Sequence, residues 1–573
     1  MNTRRVVLDT GFGVERFMAR RARGDRLHYL GVTSQVPAID DPQLRALWPL
    51  NVPGFHRIVL DDGRVVLDLL VGELGALLPQ IDARVDEFHV AAAAPASLAR
   101  ALAKLAVQGA SLHAQAPDEA FVWALTAAGF ACRTIEDSPD VAAAYRSRRP
   151  QPAVSPEPDR RAIVIGAGLA GSAAAHRLCA NGWQVTLIER HAQPAQEASG
   201  NLAGIFMPLL SKDDNIPTRL SRAAYLFALR EWRRLGGVGS AFDGANCGVL
   251  QLARDGEHAK VQQEVVAAWS YPREYVRWLD AEAASARIGA PTPHGGWLFE
   301  QGGWARPASL CEAMLGACGE RLRRVFAAEA MDLHRADGEW QVRGDDGALI
   351  AQAPTVVLAG GASAVRIAQA AELPLSALRG QVTHLAVSGA GGGDTCAPPE
   401  PPDMGRGATD SAPPQLSLVV CREAYVTPPS NGIVSAGATY DNDDDPALRA
   451  SSQQENLARL AEIIPGAAVA ALAASAPLAG RVGFRCAAPD RLPLAGALPD
   501  YPSAGRLERL RDVPRHPGLY GLLGYASRGL IWAPLMAELL VSQLENTPPP
   551  LEASLVDVLD PGRFLLKQRR RSQ

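Results

Sequence analysis

The stretch from Arg161 to Leu210, RAIVIGAGLAGSAAAHRLCANGWQVTLIERHAQPAQEASGNLAGIFMPLL, limits what this chain can fold into more than any other. Four residues of buried-strand type, Ala162-Ile163-Val164-Ile165, run into the turn Gly166-Ala167-Gly168-Leu169-Ala170-Gly171. An Ala- and Leu-rich run to about Ala180 has helical character, and a second strand, Trp183 to Ile188, ends at the acid Glu189. Each part has a task in holding a dinucleotide. Gly166 permits a tight turn, Gly168 lets the backbone approach a pyrophosphate, and Gly171 lets the helix pack on the strand. The start of the helix offers N–H groups and a partial positive charge to phosphates. Glu189 is placed to accept hydrogen bonds from a ribose diol, with Arg190 beside it. A glycine turn alone occurs in many loops; the ordered set points to a nucleotide fold that takes NAD or FAD. Ala198-Ser199-Gly200-Asn201, with Gly204 beyond, favours FAD, because small residues leave room for a flavin ring.

Two later stretches fit the same site. Thr355 to Leu358 is a strand ending in Ala359-Gly360-Gly361, small residues suited to a second backbone passing the dinucleotide. Gly524 to Leu530, which holds Ser527, Arg528 and Gly529, is a glycine turn entering a helix from about Ile531 to Leu544. The N-terminus of that helix can aim its dipole at the pyrimidine edge of a flavin. Singly, each also reads as a plain glycine-rich loop.

The 573 residues suggest about three to four domains. A net charge of −4 gives the whole chain no attraction to nucleic acid, so such contact needs local patches. Arg146, Arg148, Arg149, Arg160 and Arg161 form one, and Lys567 with Arg569, Arg570 and Arg571 another, although solvated charge explains both equally well. Eight cysteines without a CxxC pair predict reduced thiols, no metal site and a cytoplasmic location. No apolar run is long enough to span a membrane, and no signal pattern opens the chain. RSRRPQPAVSPEPDR, with its four prolines, reads as a linker at 146–160. Gly389 to Gln415 reads as an irregular insertion. The expected plan is therefore an N-terminal domain at 1–145, the linker, a second unit at 161–548 and a tail at 549–573.

In the N-terminal domain, strands are expected at Arg5 to Asp9, Leu27 to Val32, Val65 to Val71 and Val85 to Val90. Helical stretches at Leu74 to Leu78 and Ala96 to Ala106 lie between them, an alternation that implies a parallel, Rossmann-like sheet.

DTGFG at 9–13, the run from Leu44 to Phe88 and LTAAGF at 125–130 resemble the methyltransferase half of the bifunctional enzymes that build 5-methylaminomethyl-2-thiouridine at the tRNA wobble position. The segment departs from that pattern three times. Gly13 is followed by Val14-Glu15-Arg16-Phe17 where the family keeps a further glycine, so side chains stand where S-adenosylmethionine approaches the backbone. Thr33 replaces the acid expected after the second strand. Ala91-Ala92-Ala93-Ala94-Pro95 replaces the family's DGFAP with its active-site Asp. The resemblance thus implies a methyltransferase remnant, kept for structure or RNA positioning.

The second half resembles the oxidoreductase half of the same enzymes through ASGNLAGIFMPLLS (198–211), QGGWARPASLC (301–311), LRGQVTHL (378–385) and GATYDNDDDP (437–446). RVGFRCAAPDRLPLAGALPD (481–500) and HPGLYGLLGYASRGLIWAPLMAELL (516–540) continue the series. This implies a doubly wound FAD-binding domain with an antiparallel-sheet substrate domain, like those of glycine, D-amino-acid and sarcosine oxidases. It also implies a tRNA substrate, 5-carboxymethylaminomethyl-2-thiouridine, which loses hydride to FAD and releases glyoxylate to leave the 5-aminomethyl base. Such chemistry asks for a cation to hold the carboxylate. Arg528, Arg485, Arg306 and Lys212 are the candidates, with Tyr525 and Tyr440 as pocket-lining or core aromatics. A free amino-acid oxidase, a flavin-free scaffold and a still active methyltransferase stand as alternatives.

Overall fold

The structure, a computed structural model, describes residues 4–146, 159–387, 416–464, 469, 478–503 and 505–571. Most of the stretch read as a linker, and the Gly389 to Gln415 insertion, fall outside these residues.

In the N-terminal half, five strands run parallel in the order Val65–Val71, Leu27–Thr33, Arg5–Asp9, Val85–Val90, Ala106–Ala114. All four expected strands are among them. The edges differ from the expected all-parallel sheet. Gly54–Leu60 pairs antiparallel with Val65–Val71 at one side, and Val141–Tyr145 with Phe130–Thr134 close the other. Apolar patterning does not reveal Gly54–Leu60, because His56 and Arg57 interrupt it and both are buried. One face of the sheet packs Leu8, Phe88, Leu112 and Phe121, the other Val7, Phe17, Tyr29 and Leu67.

The larger half is built on a second sheet. Leu322–Phe326, Gln184–Glu189, Arg161–Ile165, Thr355–Leu358 and Arg515–Leu523 run parallel, and Leu494–Pro499 joins antiparallel at the edge. An antiparallel meander, Asp332–Ala336, Glu339–Arg343 and Leu349–Ala353, accompanies it. A separate eight-stranded sheet carries the substrate side; it is antiparallel except where Val249–Leu252 meets Val419–Cys421. The helix Gly529–Leu544 is buried from Leu530 to Ser542, as a helix apolar on every side must be.

Residues 549–571, expected to form a tail, are instead built into the fold. They carry the helices Ala553–Asp557 and Arg563–Arg571, with Leu551, Leu555, Leu559 and Leu565 buried.

A buried chain of alternating charges ties the two halves together. His28 meets Asp68 at 2.7 Å, and Asp68 takes two bonds from Arg57, at 2.8 and 2.7 Å. Arg57 donates to Glu538 at 3.0 Å, Arg177 donates to the other Glu538 oxygen at 2.9 and 2.5 Å, and Arg177 continues to Glu231 at 3.2 Å. Glu538 belongs to the long buried helix. The N-terminal sheet is thereby fastened to the element that enters the nucleotide site.

Candidate active site

The cleft of about 360 Å³ opens at the carboxyl ends of the parallel strands in the larger half, where open α/β sheets bind their ligands. Its walls come from the first glycine turn, Glu189 and Arg190, the loop through Ser199 and Asn201, Gly204, Ala359 and Gly360, and the second turn with Gly524, Ser527, Gly529 and Leu530. Of the residues expected around a cofactor, Ala167, Gly171, Gly200 and Arg528 stand behind the wall.

The glycines are required by close approach. Gly166 has φ +105°, and a Cβ there would lie 2.8 Å from the Ala359 carbonyl oxygen and 2.9 Å from the Gly360 Cα. The chain leaving two adjacent parallel strands comes closest at this point. A Cβ on Gly171 would lie 1.7 Å from the Gly166 carbonyl oxygen, so the helix Leu169–Ala180 can sit against the turn only with glycine there. Gly200 faces Arg481, which donates to the carbonyls of Gln196 at 2.7 Å and Glu197 at 2.6 Å and holds the loop in place.

Glu189 accepts from the Ala167 N–H at 2.7 Å and the His191 N–H at 3.0 Å, one on each oxygen. Each oxygen keeps a lone pair, and the carboxylate lines the cleft. No side chain caps the helix Gly529–Leu544, and its first residues, Gly529 and Leu530, line the cleft. A cradle that excludes Cβ atoms, an acid beside it and an uncapped helix start fit a flavin dinucleotide. Among the described residues no group of three or more metal-ligating side chains gathers, and no helix is long and apolar enough to cross a membrane.

Two of the four candidate cations lie near Tyr440, beside the cleft. Arg485 lines it, lies 4.5 Å over the centroid of Tyr440 and donates to the Thr439 carbonyl at 3.3 Å. Arg528 sits at the head of the long helix, behind the cleft wall and half-buried, and donates to the Met207 carbonyl at 3.4 Å. No carboxylate of the described residues pairs with it, and burial lowers its pKa. Tyr525 lines the cleft with its hydroxyl buried and without a hydrogen-bond partner among the described residues. Tyr425, which sequence reasoning missed for want of any surrounding motif, donates to the Ala203 carbonyl at 3.4 Å; burial pushes its pKa up to about 12.

The other two candidates lie elsewhere. Lys212 is 72% exposed and pairs with Glu264 at 3.1 Å, and Arg306 pairs with Asp243 at 3.2 Å on the surface. Arg306 lies in a matching stretch and Lys212 just beyond one, but their side chains turn to solvent, so neither can hold a ligand in this cleft.

In the N-terminal half, protein atoms occupy the crevice above the first strand. Asp9 is saturated by Tyr29, Arg16 and the Gly11 N–H, at 2.7, 2.7 and 3.1 Å. The Phe12 ring lies against Gly31, where a Cβ would meet it at 2.3 Å, and Phe12 clusters with Phe17, Tyr29 and Trp48. The Ala91 N–H bonds Thr10 Oγ1 at 3.0 Å and closes the opposite side.

The family described as FAD dependent oxidoreductase matches residues 161–543, the whole of this cleft and both sheets around it. The chain belongs to the FAD-dependent oxidoreductases. FAD is thus its cofactor, and its chemistry is oxidation and reduction. Similarity extends beyond the family segment. The chain is 39% identical to the tRNA 5-methylaminomethyl-2-thiouridine biosynthesis bifunctional protein MnmC of Paraburkholderia xenovorans (strain LB400), covering 99% of this chain and 90% of that one. It is 41% identical to the protein of the same name from Burkholderia mallei (strain SAVP1), over 96% and 84% of the two chains. Among solved FAD-dependent oxidoreductases, glycine oxidase from Geobacillus kaustophilus shares the fold with a TM-score of 0.55 at 20% identity, over 70% of this chain and 99% of that one. Iminodiacetate oxidase from Chelativorans sp. BNC1 does so at 0.53 and 23%, over 68% and 96%.

Proposed function

We propose that this FAD-dependent oxidoreductase modifies the wobble uridine of tRNA, converting 5-carboxymethylaminomethyl-2-thiouridine to 5-aminomethyl-2-thiouridine with release of glyoxylate. The observation that carries the reading is likeness across both halves to relatives named for tRNA thiouridine biosynthesis. Solved amine oxidases share only the fold of the second half. The protein would act in the cytoplasm, where its tRNA substrate is found.

The cleft supplies what that substrate needs. Arg528 is a half-buried cation with no carboxylate partner among the described residues, and Arg485 lines the cleft. Between them they would hold the substrate carboxylate through charge-assisted bonds and set its amine at a fixed distance from the cofactor. Gly166, Gly168, Leu169 and Ala170 would hold the pyrophosphate and Glu189 the ribose, with Arg190, Ser199, Asn201, Gly204, Ala359, Gly360, Gly524, Ser527, Gly529 and Leu530 forming the rest of the wall. Bound FAD supplies a hydride acceptor for the carbon between amine and carboxylate, after which water cleaves the C–N bond. The start of the helix Gly529–Leu544 would stabilise negative charge at the edge it faces.

The same reading assigns no methyl transfer to the N-terminal half, whose crevice is packed with Phe12, Phe17 and Tyr29. The test is incubation of the purified protein with hypomodified tRNA, measuring glyoxylate and the mass of the wobble nucleoside. Turnover of free glycine without any change in the tRNA would replace the reading with that of an amino-acid oxidase.

A further inference from the structure

Tyr440 is exposed over 54% of its surface although both neighbours in the chain are tied down. The Thr439 N–H bonds the Gln381 carbonyl at 3.2 Å, and the Gln381 N–H bonds Thr439 Oγ1 at 3.1 Å. On the other side, Asp441 exchanges two backbone bonds with Arg379, each 3.0 Å. The fully buried Arg379 guanidinium reaches Asp441 at 3.0 Å and the carbonyls of Asp445 and Ala447 at 2.8 and 2.7 Å. The loop is therefore stiff, and it presents an aromatic ring to solvent. A stiff loop that holds an aromatic outward bears its cost for packing with something outside the chain.

The ring's position identifies what that is. Arg485, a wall residue of the cleft, covers one side of Tyr440 at 4.5 Å from the centroid, so the ring stands beside the cleft. The flanking loop carries Asp441, Asp443, Asp444 and Asp445 against only Arg379 and Arg449. An excess of carboxylates repels a phosphate backbone and leaves the flat face of a base as the acceptable partner. Bases splayed out of single-stranded RNA stack on aromatic side chains and on guanidinium planes.

We propose that Tyr440, backed by Arg485, is the stacking platform for the pyrimidine ring of the substrate uridine. The ring would rest on this platform while its C5 side chain enters the cleft toward Arg528. The proposal rests on the tRNA reading above and adds the surface that recognises the base.

The test compares wild type, Tyr440→Ala and Tyr440→Phe, as full-length flavin-loaded enzyme, for glyoxylate release from hypomodified tRNA across a range of tRNA concentrations. Base stacking predicts that Tyr440→Ala raises KM about tenfold, more than it lowers kcat, and that Tyr440→Phe restores KM to within about twofold. The flavin absorbance spectrum should be the same in all three. An unchanged KM in Tyr440→Ala would overturn the platform while leaving the tRNA reading intact. Equal damage in Tyr440→Phe would overturn it too, by shifting the role to the hydroxyl. Wild type that releases no glyoxylate from tRNA would overturn the underlying reading instead.

Discussion

In the proposed reading substrate binding turns on Arg528, because a half-buried guanidinium with no carboxylate beside it among the described residues awaits an anion. Replacing it with Gln keeps a donor and removes the charge, forfeiting a charge-assisted bond of about 1.5–3 kcal/mol. The expected result is a fall of about 10- to 100-fold in kcat/KM for the carboxylated amine, read by glyoxylate release, with flavin content unchanged; a loss under about twofold would remove Arg528 from the site. Gly166 acts on the cofactor instead. Gly166→Ala sets a Cβ 2.8 Å from the Ala359 oxygen in a backbone region that alanine avoids. The variant should purify with much less flavin by absorbance at equal protein, and full yellow protein would show that the turn has slack. Both positions were singled out in the sequence because the expected chemistry asks for those residue types within a motif. Arg306 sits in a matching stretch too, and Lys212 just beyond one, yet both turn to solvent, since no linear pattern records the direction of a side chain.

At the scale of elements, the helix Gly529–Leu544 joins cofactor site and N-terminal sheet. Glu538 is buried, and burial opposes its charge, but Arg177 and Arg57 outweigh that and hold its pKa at about 2. Glu538→Gln would leave two buried arginines short of a partner, a loss of about 3–5 kcal/mol by the usual cost of breaking a buried pair. Thermal unfolding followed by circular dichroism and by flavin fluorescence should move down together. A drop in the first signal alone would mean that the halves do not share this helix energetically. The helix itself was readable, from an apolar run after a glycine turn. Its partner strand Gly54–Leu60 was not, because buried His56 and Arg57 look like surface residues until the Val52 carbonyl is brought to the first and Asp68 and Glu538 to the second.

For the whole molecule, the buried network sets the response to acid. His56 is held at about 3 by burial and by Arg230, and His176 at about 4 by burial and by Arg177. Both stay neutral in the fold, while the unfolded imidazole titrates at about 6.5. The unfolded chain therefore binds more protons as pH falls below that value, and stability declines. Glu538 adds a contribution that is present above its ordinary value of 4.5 and lost as pH falls from there toward 2. The unfolding temperature should fall from about pH 6.5 downward and more steeply below about pH 4.5. A midpoint that rises between about pH 7 and pH 5 would contradict the assignment of these groups.

The sequence by itself determined the two nucleotide-type sheets, the glycine cradle with its acid and the cofactor class. These follow from local chemistry, since a turn, a strand period and a close backbone approach each demand particular residues at fixed spacing. Only the tertiary structure decided which arginine lines the cleft, that the closing residues pack as helices rather than trail as a tail, and that the N-terminal sheet is bolted to the cofactor helix. Those facts depend on which distant side chains meet in a low-dielectric interior, where a charge that looks solvated in the sequence must find its partner.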